Sequence, residues 1–167
     1  MHINQKGFTL LEIILSVAVI SLLVGSVSLF FTALQKTQVK NQVVLEVEEQ
    51  GAHTLQEILS TIKNASSIIS PQNGESGSSL SLTVPDSTKS PTLFTISDAI
   101  LQIQEGAILP IALTNSRARI SNLLFQNLSA PNTPGIIRIS FSLSYANPDN
   151  IPDYDYTKIF IGSASLR

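Results

Sequence analysis

One carboxylate stands alone in an apolar run. From Phe8 to Leu34 the chain reads FTLLEIILSVAVISLLVGSVSLFFTAL, and Glu12 is the only ionisable side chain in those 27 residues. On insertion scales an ionisable group inside a membrane helix costs roughly 2.5–3.5 kcal/mol near the centre and less near an end, so it normally has a partner or a function. Glu12 therefore calls for a cation. Just upstream, Lys6, Gly7 and Phe8 place a charged residue, a glycine and an aromatic side chain at the head of the run.

The other residues able to do chemistry are sparse. Cysteine is absent and the histidines are His2 and His53. Without a Gly-x-Ser-x-Gly turn, a His-Glu-x-x-His pair or a serine marked beside His53, no nucleophile–base pair or zinc site has a foundation. His53 reads as a polar helix residue and the chain as a non-enzyme. The stretch NPDNIPDYDY carries Asp149, Asn150, Asp153 and Asp155, oxygen ligands suited to calcium. It lacks the regular spacing of an EF-hand loop, so a solvated acidic turn is the expected role, with calcium the one cofactor to consider. Tyr154 and Tyr156 fit the start of a strand. Arg117 and Arg119 form the densest basic spot of the C-terminal region, yet two arginines neutralise too few phosphates to make nucleic acid a main partner.

These residues sit in a chain of 167 residues, 43% hydrophobic and only 13% charged, with a formal charge of −2. Soluble domains average about 25% charged, so part of the chain is suited to a solvent other than water. The length allows one modest domain with an appendage and argues against a multidomain enzyme. Lack of cysteine removes disulfides and thiolate metal sites and leaves the redox compartment unread.

Patterning locates the appendage. A bilayer core needs about 20 mostly apolar residues, and residues 8–34 meet that length; Lys6 puts the short leading segment on the cytoplasmic side and the rest outside. All eight prolines fall between Pro71 and Pro152, so no proline ring interrupts a helix before Ile69. Residues 35–70 are expected to continue the helix amphipathically, with Val44, Val47, Gly51, Leu55, Ile58, Ile62, Ala65 and Ile69 on one face and a kink or break at Gly51. Residues 71–167 change character. After a Ser-rich loop at 76–81, period-two alternation marks strands at 80–84 and 137–145, with further candidates near 92–96, 100–104, 107–113, 118–128 and 157–166. The fold class that follows is α+β, a long N-terminal helix, apolar and then amphipathic, packed on a small antiparallel β-sheet.

The constellation Lys6-Gly7-Phe8 followed by Glu12 and an apolar run resembles the processing site of type IV pilins and of type II secretion pseudopilins. The resemblance implies a leader at 1–7, recognised through Lys6 and Gly7. A prepilin peptidase would cut it between Gly7 and Phe8 and N-methylate Phe8. It implies that Glu12 serves subunit assembly by meeting the N-terminal amine of a neighbour. That amine would begin one helical turn ahead of Glu12, at membrane depth. The implied partners are other pilin or pseudopilin subunits, the peptidase, the inner-membrane assembly platform and, before assembly, lipid. The implied location is a single-pass inner-membrane precursor that ends in a pilus or pseudopilus. Absence of a cysteine pair and the C-terminal run faintly resemble minor pilins and J-type pseudopilins. No proline stands in the middle of the apolar helix, where many pilins have one; Gly25, Ser26 and Ser28 are the local substitutes. A different class is also open: a conventional signal sequence ending at Ser26-Val27-Ser28 would make the chain a secreted or anchored β-rich module binding carbohydrate or a surface protein.

Overall fold

A computed structural model describes residues 9–131 and 133–167, with only the backbone of Asp153. Helix α1 runs from Leu10 to Asn64 without interruption. Nine strands follow among the described residues: β1 (Ser67–Ser70), β2 (Ser76–Gly77), β3 (Leu80–Thr83), β4 (Thr92–Ser97), β5 (Ile100–Glu105), β6 (Ile111–Ala112), β7 (Ala118–Asn127), β8 (Ile136–Tyr145) and β9 (Thr157–Ser165). A short 3-10 turn at Pro152–Tyr154 precedes β9. Contacts divide the chain into two compact units, Met1–Lys40 and Asn41–Arg167.

In the first unit every described side chain from Thr9 to Gln38 is exposed. Apolar residues that would be buried in a water-soluble core here face outward along a helix long enough to cross a bilayer. The second unit is conventional. Two antiparallel sheets, ordered β1-β3-β4-β5-β6 and β2-β7-β8-β9, share one core with the second half of α1. Alternation places Leu80, Leu82, Phe94, Leu101, Phe125, Ile137, Ile139, Phe141 and Leu143 inside, against Val47, Ile58 and Ile62 of the helix. The tight β4–β5 turn through Asp98 and Ala99, both at positive φ, links the sheets: the Ala99 carbonyl accepts the Ile120 N–H of β7 at 2.8 Å.

Several expectations change. The amphipathic helix stops at Asn64 rather than continuing to 69–70. Ser66 instead donates to the Thr83 carbonyl at 2.7 Å, and the following residues pair with β3 as β1. The buried stripe is Val43, Val47, Gly51, Thr54, Ile58 and Ile62, so Val43 and Thr54 take the inward places expected for Val44 and Leu55. Gly51 marks no break. The Phe160 ring of β9 occupies the space where a side chain at residue 51 would stand, so the glycine serves close approach of sheet and helix. The strands form two sheets, not one. The expected strand at 107–113 shrinks to β6, and the loop at 76–81 contains β2.

Candidate functional site

Glu12 lies in the first turn of α1. Thr9 opens that turn: its hydroxyl accepts the Glu12 N–H at 3.3 Å, while its carbonyl accepts the N–H groups of Glu12 at 3.0 Å and Ile13 at 3.2 Å. Thr-x-x-Glu is the spacing of a capping box, a local signal for the helix start that the emphasis on Glu12 alone passed over. A carboxylate in the first turn is also favoured by the positive end of the helix dipole.

The other polar side chains of residues 10–34 satisfy themselves. Ser16, Ser21 and Ser28 donate to carbonyls four residues back, and Ser26 and Thr32 to carbonyls three back, all at 2.8 Å. Such back-bonding lets a hydroxyl sit in hydrocarbon without an orphaned donor. Glu12 differs: its carboxylate has no hydrogen bond or ion pair among the described residues. Its side chain is exposed on the helix. Chemically, this is one anion at the end of a self-satisfied apolar rod, competent to accept a cation brought by another group. Lys6, Gly7 and Phe8 lie outside the described residues. The helix runs unbroken through Gly25, Ser26 and Ser28, and Gly25 has open space where a Cβ would stand.

The remaining candidates do not converge. His53 is exposed on α1. Asp149 and Asp155 are exposed in the loop between β8 and β9; the side chain of Asp153 is not described. No cluster of three or more potential metal-binding His, Asp or Glu side chains occurs among the described residues. That loop is held by other means: the Asn147 amide donates to the Ile151 carbonyl at 2.8 Å and accepts the Ile151 N–H at 2.9 Å. Tyr145 stacks on Tyr154 with ring centroids 5.7 Å apart. Arg119 and Asp155 line a polar cleft of about 670 Å³ against this loop. Arg117 and Arg119 are exposed on either side of buried Ala118. Tyr156 instead turns toward the helix, donating to Glu48 Oε1 at 3.3 Å beside a 2.8 Å bridge from Lys158. Lys158 holds the Glu48 carboxyl below its ordinary range, first through the hydrogen bond and then through its charge.

A family model described as the prokaryotic N-terminal methylation motif matches residues 3–28. The match takes in Lys6, Gly7, Phe8 and Glu12 and supports a type IV pilin-like prepilin. A long N-terminal helix packed on antiparallel sheets is consistent with a type IV pilin fold. Motif and apolar helix together support membrane anchoring followed by pilus-type assembly. No curated protein and no solved structure matches the chain.

Proposed function

We propose that the chain is a minor pilin or pseudopilin subunit, made as a membrane precursor and assembled through α1 into a type IV pilus or a secretion pseudopilus. The observation that carries this reading is the methylation motif at 3–28 leading into an apolar helix whose one carboxylate lacks a partner among the described residues. In this reading a prepilin peptidase recognises Lys6 and Gly7 and hydrolyses the Gly7–Phe8 amide. The hydrolysis frees a Gly7 carboxylate and a Phe8 amine. A sulfonium methyl donor then transfers its methyl group to that nitrogen, leaving as a thioether while the nitrogen gives up one proton to water. The amine of one subunit meets Glu12 of its neighbour, so pairing is head-to-tail and the assembly helical. Ser21, Gly25, Ser28 and Thr32 fall on one helical face, and small side chains there favour close packing of like helices. The subunit needs no cofactor, and Asp149 and Asp155 stand in a solvated turn. The partners are other pilin-type subunits, the peptidase and an inner-membrane platform, with the β-rich unit outside the membrane.

Mass spectrometry of the mature chain tests this directly. A methylated Phe8 at the N-terminus supports it; a chain beginning at Leu29 would instead make the protein a secreted β-rich module with an ordinary signal sequence. Glu12→Val should preserve membrane insertion and leader removal and sharply reduce incorporation into filaments. Wild-type incorporation of that variant would defeat the pairing mechanism.

A further inference from the structure

Four strand edges close the two sheets, and three of them are protected. β1 has four residues, a register irregularity between Ile68 and Ser70, and Pro71 directly after it. β2 and β6 are two residues each, and β6 follows Pro110. Shortness, bulging and flanking proline are the usual defences against an added strand. β9 has none of them. It pairs with β8 in unbroken register from Thr157 to Ser165, and among the described residues nothing pairs with its other side. Its one cation, Lys158, is committed inward to Glu48 and so does not guard the edge.

Both flanks of this edge are apolar. On the outer face Ile159 and Ile161 are 65% and 55% exposed, beside small Ser142 and Ser140 of β8. On the helix face a cleft of about 460 Å³ opens between α1 and β9, with Leu55, Leu59 and Phe160 as its apolar walls. Its only charged lining residue is Lys63, which has no ion pair among the described residues. An added strand would therefore find main-chain partners along β9. One set of alternate side chains would enter the cleft and the other would cover Ile159 and Ile161, the geometry of strand-addition recognition.

We propose that β9 is a docking edge for an extended strand of a different protein chain. That strand carries aliphatic side chains at alternate positions and a carboxylate that reaches Lys63. Charge selects against a second copy: all described strands of this chain are already paired, and self-pairing through β9 would bring a second cleft of the same lining, with another lysine and no carboxylate. The inference rests on residues 41–167 and stands apart from how the N-terminus is processed.

The test uses the full chain in detergent micelles and an N-acetylated nonapeptide of alternating valine and serine ending in aspartate, read by amide hydrogen exchange resolved to β9. Saturating peptide should slow exchange of the outward β9 amides at least tenfold. Methylating alternate backbone nitrogens of the peptide should abolish that protection, and Ile159→Lys with Ile161→Lys should remove it. Lys63→Glu, or asparaginamide in place of the terminal aspartate, should weaken binding several-fold. Three results overturn the proposal. They are no protection at millimolar peptide, equal protection by the N-methylated peptide, or protection that rises with protein concentration alone alongside a dimer in sedimentation.

Discussion

The two halves of α1 share one backbone, and both back-bond hydroxyls to their own carbonyls, as Thr61 does to Glu57 in the second. Only the second holds a polar side chain in a packed core. From Leu10 to Leu34 every serine and threonine hydroxyl bonds back to a carbonyl of its own helix, and every side chain is exposed. From Asn41 to Asn64 one stripe is buried against the sheets, and Thr54 in that stripe has a buried hydroxyl without a partner among the described residues. A segment suited to hydrocarbon must close its own hydrogen bonds, because lipid supplies none. A segment packed on a sheet can tolerate an orphan, because the rest of the core holds it in place. The stability of the folded unit should then depend on the second half and be indifferent to the first. All three tyrosines, Tyr145, Tyr154 and Tyr156, lie in the second unit, so their signal in detergent-solubilised chain reports on that unit alone.

The largest effect separates two isoleucines. Ile58→Ala removes a fully buried side chain and should lower stability by about 2–5 kcal/mol, whereas Ile20→Ala, on the exposed half, should leave the tyrosine melt unchanged. Next come two glycines. At Gly51 a methyl group would overlap the Phe160 ring and displace it from its stack on Phe141, so Gly51→Ala should cost about 1–3 kcal/mol despite alanine's better helix propensity. At Gly25 nothing stands within reach, and Gly25→Ala should leave the tyrosine melt where it is while stiffening the apolar half. Equal responses at the two positions would erase the distinction between the halves. A smaller effect, of opposite sign, is expected at Thr54: Thr54→Val keeps the shape, removes the orphaned hydroxyl and should raise stability by about 1 kcal/mol in chemical denaturation.

These positions also show what could be read from the chain itself. Phe8–Leu34 announces its solvent through composition, and Glu12 stands out because so little else there is polar. The strands at 92–97, 100–105, 136–145 and 157–165 follow their alternation closely. In 118–127 a bulge between Ser121 and Leu124 shifts the inward phase from Ala118 and Ile120 to Leu123 and Phe125. The phase of the helix stripe was less legible. Val43 and Val44 are both apolar, and only the position of the sheets decides which turns inward. The helix stop at Asn64 carries no proline or glycine; it is imposed by β3, which captures Ser66 and the strand that follows. Division into two sheets depends on pairing between strands distant in sequence, and the tie from Asn127 to the Pro71 carbonyl at 2.8 Å has no local signature. Of the candidate site, Thr9 was open to inspection as the Thr of a Thr-x-x-Glu start, while the Glu48–Lys158–Tyr156 group needed the fold to bring its members together.

The smallest effect is a pH dependence that should belong to the second half alone. Lys158 lowers the Glu48 carboxyl from its ordinary value, and Glu48 in turn raises the Lys158 ammonium, each mainly through their shared hydrogen bond. A lowered carboxyl contributes stability above its unfolded value, about 4.3 for glutamate, and loses that contribution as pH falls through the lower folded value. A raised lysine contributes below its unfolded value and loses that contribution as pH rises through the higher folded one. The bridge therefore helps across the whole range between the two. Both side chains are substantially exposed, so the effect is modest and screened by salt. Tyrosine melts between neutral pH and about pH 3 should show an acid-side loss that is shallower in Glu48→Gln and reduced in high salt. Ile20→Ala, in the exposed apolar half, should reproduce the wild-type profile. An altered acid limb in that variant would mean that the pH dependence does not belong to the second half alone.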